Sequence, residues 1–238
     1  MLYTLRAVQD NIRNRDGKRV FYLGRQDRLT SAAEDYLRSE RIAVLPAETA
    51  KPDRYRLLNG GYMEEKPEHM THLNGDVMVS KLHPRIAFRG AMDTLEAELL
   101  LCQLYCGRDL EKPLGEILSQ ARRLLACEVM DEPYDSGVLG GMTAEEIRSR
   151  SHRPQDYYGI PHFMPQLADG AQILHLNRAR CAVRNAERAA VAAFTDREGN
   201  LTRTDLVQAL NRMSSFLYML MIESKANGCT DTYKGSFG

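Results

Sequence analysis

The sequence predicts a mainly α fold, an up-and-down bundle of four or five helices with a small N-terminal α/β unit. Three observations carry this. Apolar residues after Pro84 recur at alternating spacings of four and three, the connections between the periodic stretches are short, and no strand pattern follows residue 80. At 238 residues the chain holds one full domain and at most a small appendage, at roughly 100 to 200 residues per domain.

The appendage comes first. Two short apolar runs, 20–23 and 42–45, flank segment 29–41, where Ser31 and Glu34 stand at capping-box spacing. Residues 1–50 are therefore expected to form a strand, helix, strand unit. Segment 51–75 is rich in Pro, Gly and charge and shows no sustained period, so it reads as a linker or extended loop, leaving 76–238 as the helical domain. Phe88, Met92, Leu95, Leu99, Cys102 and Cys106 define the first bundle helix. A second is expected over 113–130 with Ile117, Leu118, Ala121, Leu124 and Leu125 facing inward, and a short one starts at the Thr143/Glu146 capping pair. Segment 153–168, with three prolines and three aromatics, reads as a loop. Two long helices follow over 170–194 and 202–226, the latter with Leu206, Leu210, Met213, Leu217 and Leu220 on one seam.

Composition excludes several classes of function. Lys and Arg number 32 against 32 Asp and Glu, so no bulk charge favours nucleic acid or an anionic membrane, and a phosphate ligand needs a local cluster. The mean hydropathy is −0.43. No apolar run approaches the ~18 residues of a membrane span, and no signal peptide is legible. A cytoplasmic protein is expected. The five cysteines are an odd number scattered through helical patterns, which argues for free thiols, and Cys102 and Cys106 continue an apolar stripe rather than a metal motif.

The helix expected over 170–194 is anomalous. Its seam runs Ile173, Leu176, Arg180, Val183, Glu187, Ala190, Phe194, with two ionisable groups where a bundle favours Leu. Arg180, Arg184 and Arg188 stand four apart, so three guanidinium groups share one face within about three turns. Burying them unpaired costs several kcal/mol. Either Asp93 and Glu187 compensate them in an internal ion network, or the arginines hold a polyphosphate, whose oxygens match guanidinium forks bidentately.

Three runs carry a resemblance. LNRARCAVRNAER at 176–188 resembles the arginine helix of ATP:cob(I)alamin adenosyltransferases of the propanediol-utilisation type. KLHPRIAFRGAMDTL at 81–95 is similar to their K-x-D-P-R-x-x-x-x-G-x-x-D-E-L segment, and LNRMS at 210–214 to their LNRLS motif. Through THL at 71–73, QALNR at 208–212 and LTSAA at 29–33 the chain most resembles the ethanolamine-utilisation branch. The resemblance implies a bundle that assembles into homo-oligomers, trimers before dimers, with ATP at subunit boundaries.

It further implies a salt bridge of Asp93 with Arg180, both catalytic together with Arg184, and ATP contacts from Thr71, Lys81, Arg85, Arg184, Glu187, Arg188 and Asn211. Mg²⁺ accompanies the triphosphate. An aromatic ahead of the arginine helix excludes the lower axial ligand of cobalamin. The family's offset falls on His162, and the need for a dry, apolar face favours its neighbour Phe163. The Thr71 loop, THLNGD, lacks the family's T-G-D-x-G pattern, and 59–70 has none of the cysteines that bind metal in some relatives, so no metal site is expected. His69 and His72 read as bystanders. The reaction implied is attack of Co(I) on C5′ of ATP, giving adenosylcobalamin and triphosphate. Contact with ethanolamine ammonia lyase or a bacterial microcompartment is a further implication. The alternative is a non-catalytic nucleotide- or cobalamin-binding bundle.

Overall fold

A computed structural model describes residues 1–15, 18–47, 55–63 and 65–228. The chain divides into two compact units, Met1–Glu68 and His69–Gly238.

The first unit contains β1 (Leu2–Tyr3), α1 (Leu5–Asp10), β2 (Arg13–Arg15), β3 (Lys18–Leu23), β4 (Arg28–Leu29), α2 (Ser31–Ser39) and β5 (Ala43–Pro46). Strand β3 pairs antiparallel with β2 and parallel with β5, in register Val20 to Ala43. Helix α2 lies between the parallel strands in sequence and contributes Ala33 and Leu37 to a core with Val8, Phe21 and Ile42. The two apolar runs are thus β3 and β5. The expected Ser31 cap is not formed: Thr30 takes the N-cap position, without a side-chain bond, and Ser31 is already helical.

The described part of 51–75 is not an irregular loop. Strands β6 (Tyr55–Leu57) and β7 (Tyr62–Met63) pair as a hairpin in the first unit. In the second, β8 (Met70–Asn74) pairs antiparallel with β9 (Val77–Ser80). Gly75, at φ +52°, closes the β8–β9 turn, a backbone conformation that costs glycine little. Strands of two to five residues are too short to display a period of two, so glycine and charge dominated the pattern.

The second unit is helical: α3 (Pro84–Tyr105), α4 (Glu111–Met130), α5 (Ala144–His152), α6 (Pro154–Tyr158), α7 (Gly170–Phe194) and α8 (Thr204–Ala226). Pair contacts fix the directions. Phe88 meets Phe194 edge to face at 5.7 Å while Tyr105 stacks on His175 at 4.5 Å, so α3 and α7 are antiparallel. Asn211 bonds Glu187 and Gln172 bonds Ser224, so α7 and α8 are antiparallel too. The α3 seam is buried from Phe88 through Cys102, and Cys106 is half-buried. Cys102, Cys127 and Cys181 are free thiols, while Cys229 lies outside the described residues. The capping box expected at Thr143 and Glu146 opens α5.

Helix α7 buries a stripe of small residues, Ala179, Ala182, Ala186 and Ala190, which permits close approach of its neighbours. One polar side chain ties the far end of the bundle. Gln172, 2% exposed, accepts from the Gly107 N–H at 2.9 Å and donates to the Ser224 hydroxyl at 3.0 Å. Gln172→Leu is expected to lower stability by about 2 kcal/mol by orphaning these groups, measurable as a lowered urea midpoint. An unchanged midpoint would show the two bonds to be dispensable.

Candidate active site

Helix α7 carries the arginines and α8 the polar residues that face them. The loop 159–166, between α6 and α7, closes one side. Together they form a cleft of about 620 Å³ whose walls include His162, Phe163, Arg180, Arg184, Asn211 and Tyr218.

Tyr218 is half-buried at the centre of these contacts. The Arg180 guanidinium carbon stands 5.1 Å from the Tyr218 ring centroid, within cation–π range. Burial, and then the nearby Arg184, push the Arg180 pKa below its ordinary value. An anion in the cleft would reverse that penalty. Arg184 is exposed, and among the described residues it has no hydrogen bond or ion pair. Glu187 accepts a 2.8 Å bond from the Asn211 amide. Phe163 lies between the Tyr218 ring, at 6.2 Å, and the Lys225 ammonium, at 4.4 Å from the Phe163 centroid. Lys225 is itself paired with Asp169.

Five of the expected site residues therefore line one cleft, and Glu187 adjoins it through Asn211. Others stand apart. Arg188 is exposed one turn beyond Arg184 and does not line the cleft. Thr71 is in β8, and Lys81 is exposed between β9 and α3. Arg85 faces inward: its Nε donates to Glu128 Oε1 at 2.5 Å and its Nη2 to the Glu128 carbonyl at 2.9 Å.

Asp93 is exposed on α3 and makes no ion pair with Arg180 within the chain. The reason is geometric. The side of α7 that meets α3 presents Arg178, paired with Glu98 at 2.7 Å, whereas Arg180 turns towards α8. Neither Asp93 nor Glu187 bridges an arginine of α7 among the described residues. The internal network that would have neutralised the arginine face is absent there.

Sequence reasoning missed the ion cluster on the other side of the bundle. Glu128 of α4 is fully buried and held by both Arg85 and Arg89. A signal existed: Ile117, Ala121, Leu124 and Glu128 follow the four-three spacing, placing a carboxylate on an apolar seam. Among the described residues, no group of three or more His, Cys, Asp or Glu could hold a metal ion.

Residues 61–224 match the cobalamin adenosyltransferase family, and the chain belongs to that family. It is similar to the corrinoid adenosyltransferase EutT of Salmonella typhimurium strain LT2, 34% identical over 162 residues, which are 68% of this chain and 61% of that protein. The EutT enzyme of Escherichia coli K12 is 32% identical over 160 residues, 67% of this chain and 60% of its own length. That of E. coli O6:H1 matches to the same extent. The chain thus spans about three-fifths of the length of these relatives.

Proposed function

We propose that this protein transfers the 5′-deoxyadenosyl group of ATP to cob(I)alamin, giving adenosylcobalamin and triphosphate for ethanolamine utilisation. The observation that carries the reading is the arginine face of α7. In a member of this family, Arg180 and Arg184 open onto a cleft where no carboxylate among the described residues pairs with them, and an aromatic loop forms the opposite wall.

The nucleophile, Co(I), belongs to the corrinoid substrate, so the chain needs no nucleophilic side chain. A Co–C bond forms at C5′ as the C5′–O bond breaks, and the electron pair leaves with the triphosphate. The protein's tasks are alignment and stabilisation of the leaving charge. Arg184 serves the second. Glu187 and Asn211, already bonded to each other, contact the nucleotide, and Arg188 adds to the positive field from one turn away. Phe163, with His162 beside it, faces the corrinoid and keeps its lower side dry.

Among the described residues Asp93 and Arg180 each lack an ionic partner, and their bridge forms between copies. That places Asp93, Thr71 and Lys81 of one subunit at the cleft of the next, in a homo-oligomer for which a trimer is favoured. Arg85, committed to Glu128, supports the fold beside that boundary rather than the phosphates. Mg²⁺ fits as a companion of the triphosphate, since Glu187 beside the cleft offers a single carboxylate and phosphate oxygens supply the other ligands. The product suits a cobalamin-dependent ammonia lyase acting on ethanolamine, and a bacterial microcompartment is the setting this implies.

Purified protein with ATP, Mg²⁺ and chemically reduced cobalamin is expected to yield the light-sensitive alkylcobalamin spectrum. ATP at 100-fold its dissociation constant should add about 2.7 kcal/mol of stability. A stabilised protein that forms no alkylcobalamin would identify a binding module instead, and one that ATP does not stabilise would remove the nucleotide site.

A further inference from the structure

Loop 159–166 has no regular secondary structure, yet Phe163 can serve the corrinoid only if it is held in place. We infer that the Tyr218 hydroxyl is the positioning group that fixes this loop over the cleft. The inference rests on the corrinoid reading above and deepens it.

The hydrogen-bond directions follow from one obligatory acceptor. His162 Nε2 lies 3.3 Å from the carbonyl oxygen of His152. A carbonyl cannot donate, so Nε2 carries the hydrogen, and in the neutral ring Nδ1 is left as the acceptor. The Tyr218 hydroxyl, 3.0 Å from Nδ1, therefore donates to it. With its hydrogen committed, the hydroxyl oxygen accepts from the Phe163 backbone N–H at 3.2 Å. A directed chain results, from the Phe163 amide through Tyr218 and His162 to the end of α5. It joins the loop to two helices.

The ring of Tyr218 serves the same end. His162 stacks on it at 5.7 Å with an interplanar angle of 9°, Phe163 packs at 6.2 Å, and Arg180 rides over it. One residue thus touches both the aromatic that meets the corrinoid and an arginine of the phosphate face. Removing the hydroxyl alone leaves the ring, and so Arg180, in place. The effect should fall on the corrinoid side and spare the nucleotide side.

Tyr218→Phe in the full chain separates these. Exchange of the Phe163 amide with deuterium is expected to quicken about tenfold, because two hydrogen bonds anchoring the loop are lost. Turnover should fall about tenfold or more, since small displacements at a reacting centre are costly, while the KM for ATP stays within twofold. With ATP bound, the paramagnetic resonance signal of four-coordinate cob(II)alamin should weaken. His162→Ala should act in the same direction, with a smaller effect on the Phe163 amide because its bond to the Tyr218 hydroxyl remains, and the double variant should lose less than the sum of the two, because both remove the Tyr218–His162 bond. Unchanged exchange at Phe163 overturns the proposal, as does faster exchange with wild-type kcat, cobalamin KM and four-coordinate signal. A wild-type protein that never alkylates cobalamin would overturn the functional reading and the corrinoid role, while exchange would still decide whether Tyr218 holds the loop.

Discussion

Replacing Glu128 with alanine is expected to lower stability by about 3–5 kcal/mol, the usual cost of removing one member of a buried ion cluster. Glu128 has no side-chain exposure, and Arg85 and Arg89 have 17% and 18%. Its carboxylate receives Nε of Arg85 at 2.5 Å and Nε of Arg89 at 2.7 Å. Two guanidinium groups would be left against α4 without the carboxylate they share. The Arg85 guanidinium also lies 5.8 Å from the Phe194 ring centroid, so its displacement would disturb the α3–α7 contact. Chemical denaturation followed by circular dichroism measures the loss. Replacing all three ionic residues with apolar ones of similar volume should restore much of it, because desolvation of the cluster offsets most of its attraction. A Glu128→Ala protein as stable as the parent would show that water reaches these arginines.

Arg184→Ala is expected to reduce kcat about 10²–10³-fold, the range found when a donor to developing negative charge is deleted. Its melting temperature should stay within about 1 °C of the parent, since Arg184 is exposed and unpartnered among the described residues, and exposed side chains of that kind contribute little to stability. Arg184→Lys should recover only part of the loss: an ammonium keeps the charge but not the bidentate fork. Arg188→Ala is the internal comparison. Arg188 lies off the cleft, and its removal should cost far less. Steady-state adenosylation with reduced cobalamin decides the matter, and an active Arg184→Ala enzyme would refute the role given to this arginine.

The long seams were legible because helical burial repeats over many turns. Residues 88 to 102 on α3 and 206 to 220 on α8 offered enough repeats to be read, and the arginine face of α7 stood out against the same period. Loop 153–168 was legible only as an aromatic, proline-rich segment; that its first residues form α6 depends on Pro154 at the helix start and Gly159 in the left-handed region at its end. Tyr218 gave no signal, since it lies one position off the α8 seam and its partners are 55 and 56 residues away. That Asp93 and Arg180 do not meet within one chain was illegible for a different reason. Side chains three or four apart on one helix can be matched by spacing, but which side of α7 faces α3 depends on packing between helices.

The alanine stripe of α7 has a consequence for how firmly the two walls of the cleft are held. With Ala179, Ala182, Ala186 and Ala190 buried, the helix has little room to slide or roll, so Arg180 and Arg184 are held in a fixed register along the cleft. Loop 159–166, without helical packing of its own, is held instead by the bonds of His162 and Phe163 to Tyr218 and His152. The two walls of the cleft are thus a rail and a tether. On the proposed function, ATP would settle onto a row of charges fixed by helix packing, whereas the corrinoid would meet a wall whose position depends on a few side-chain bonds.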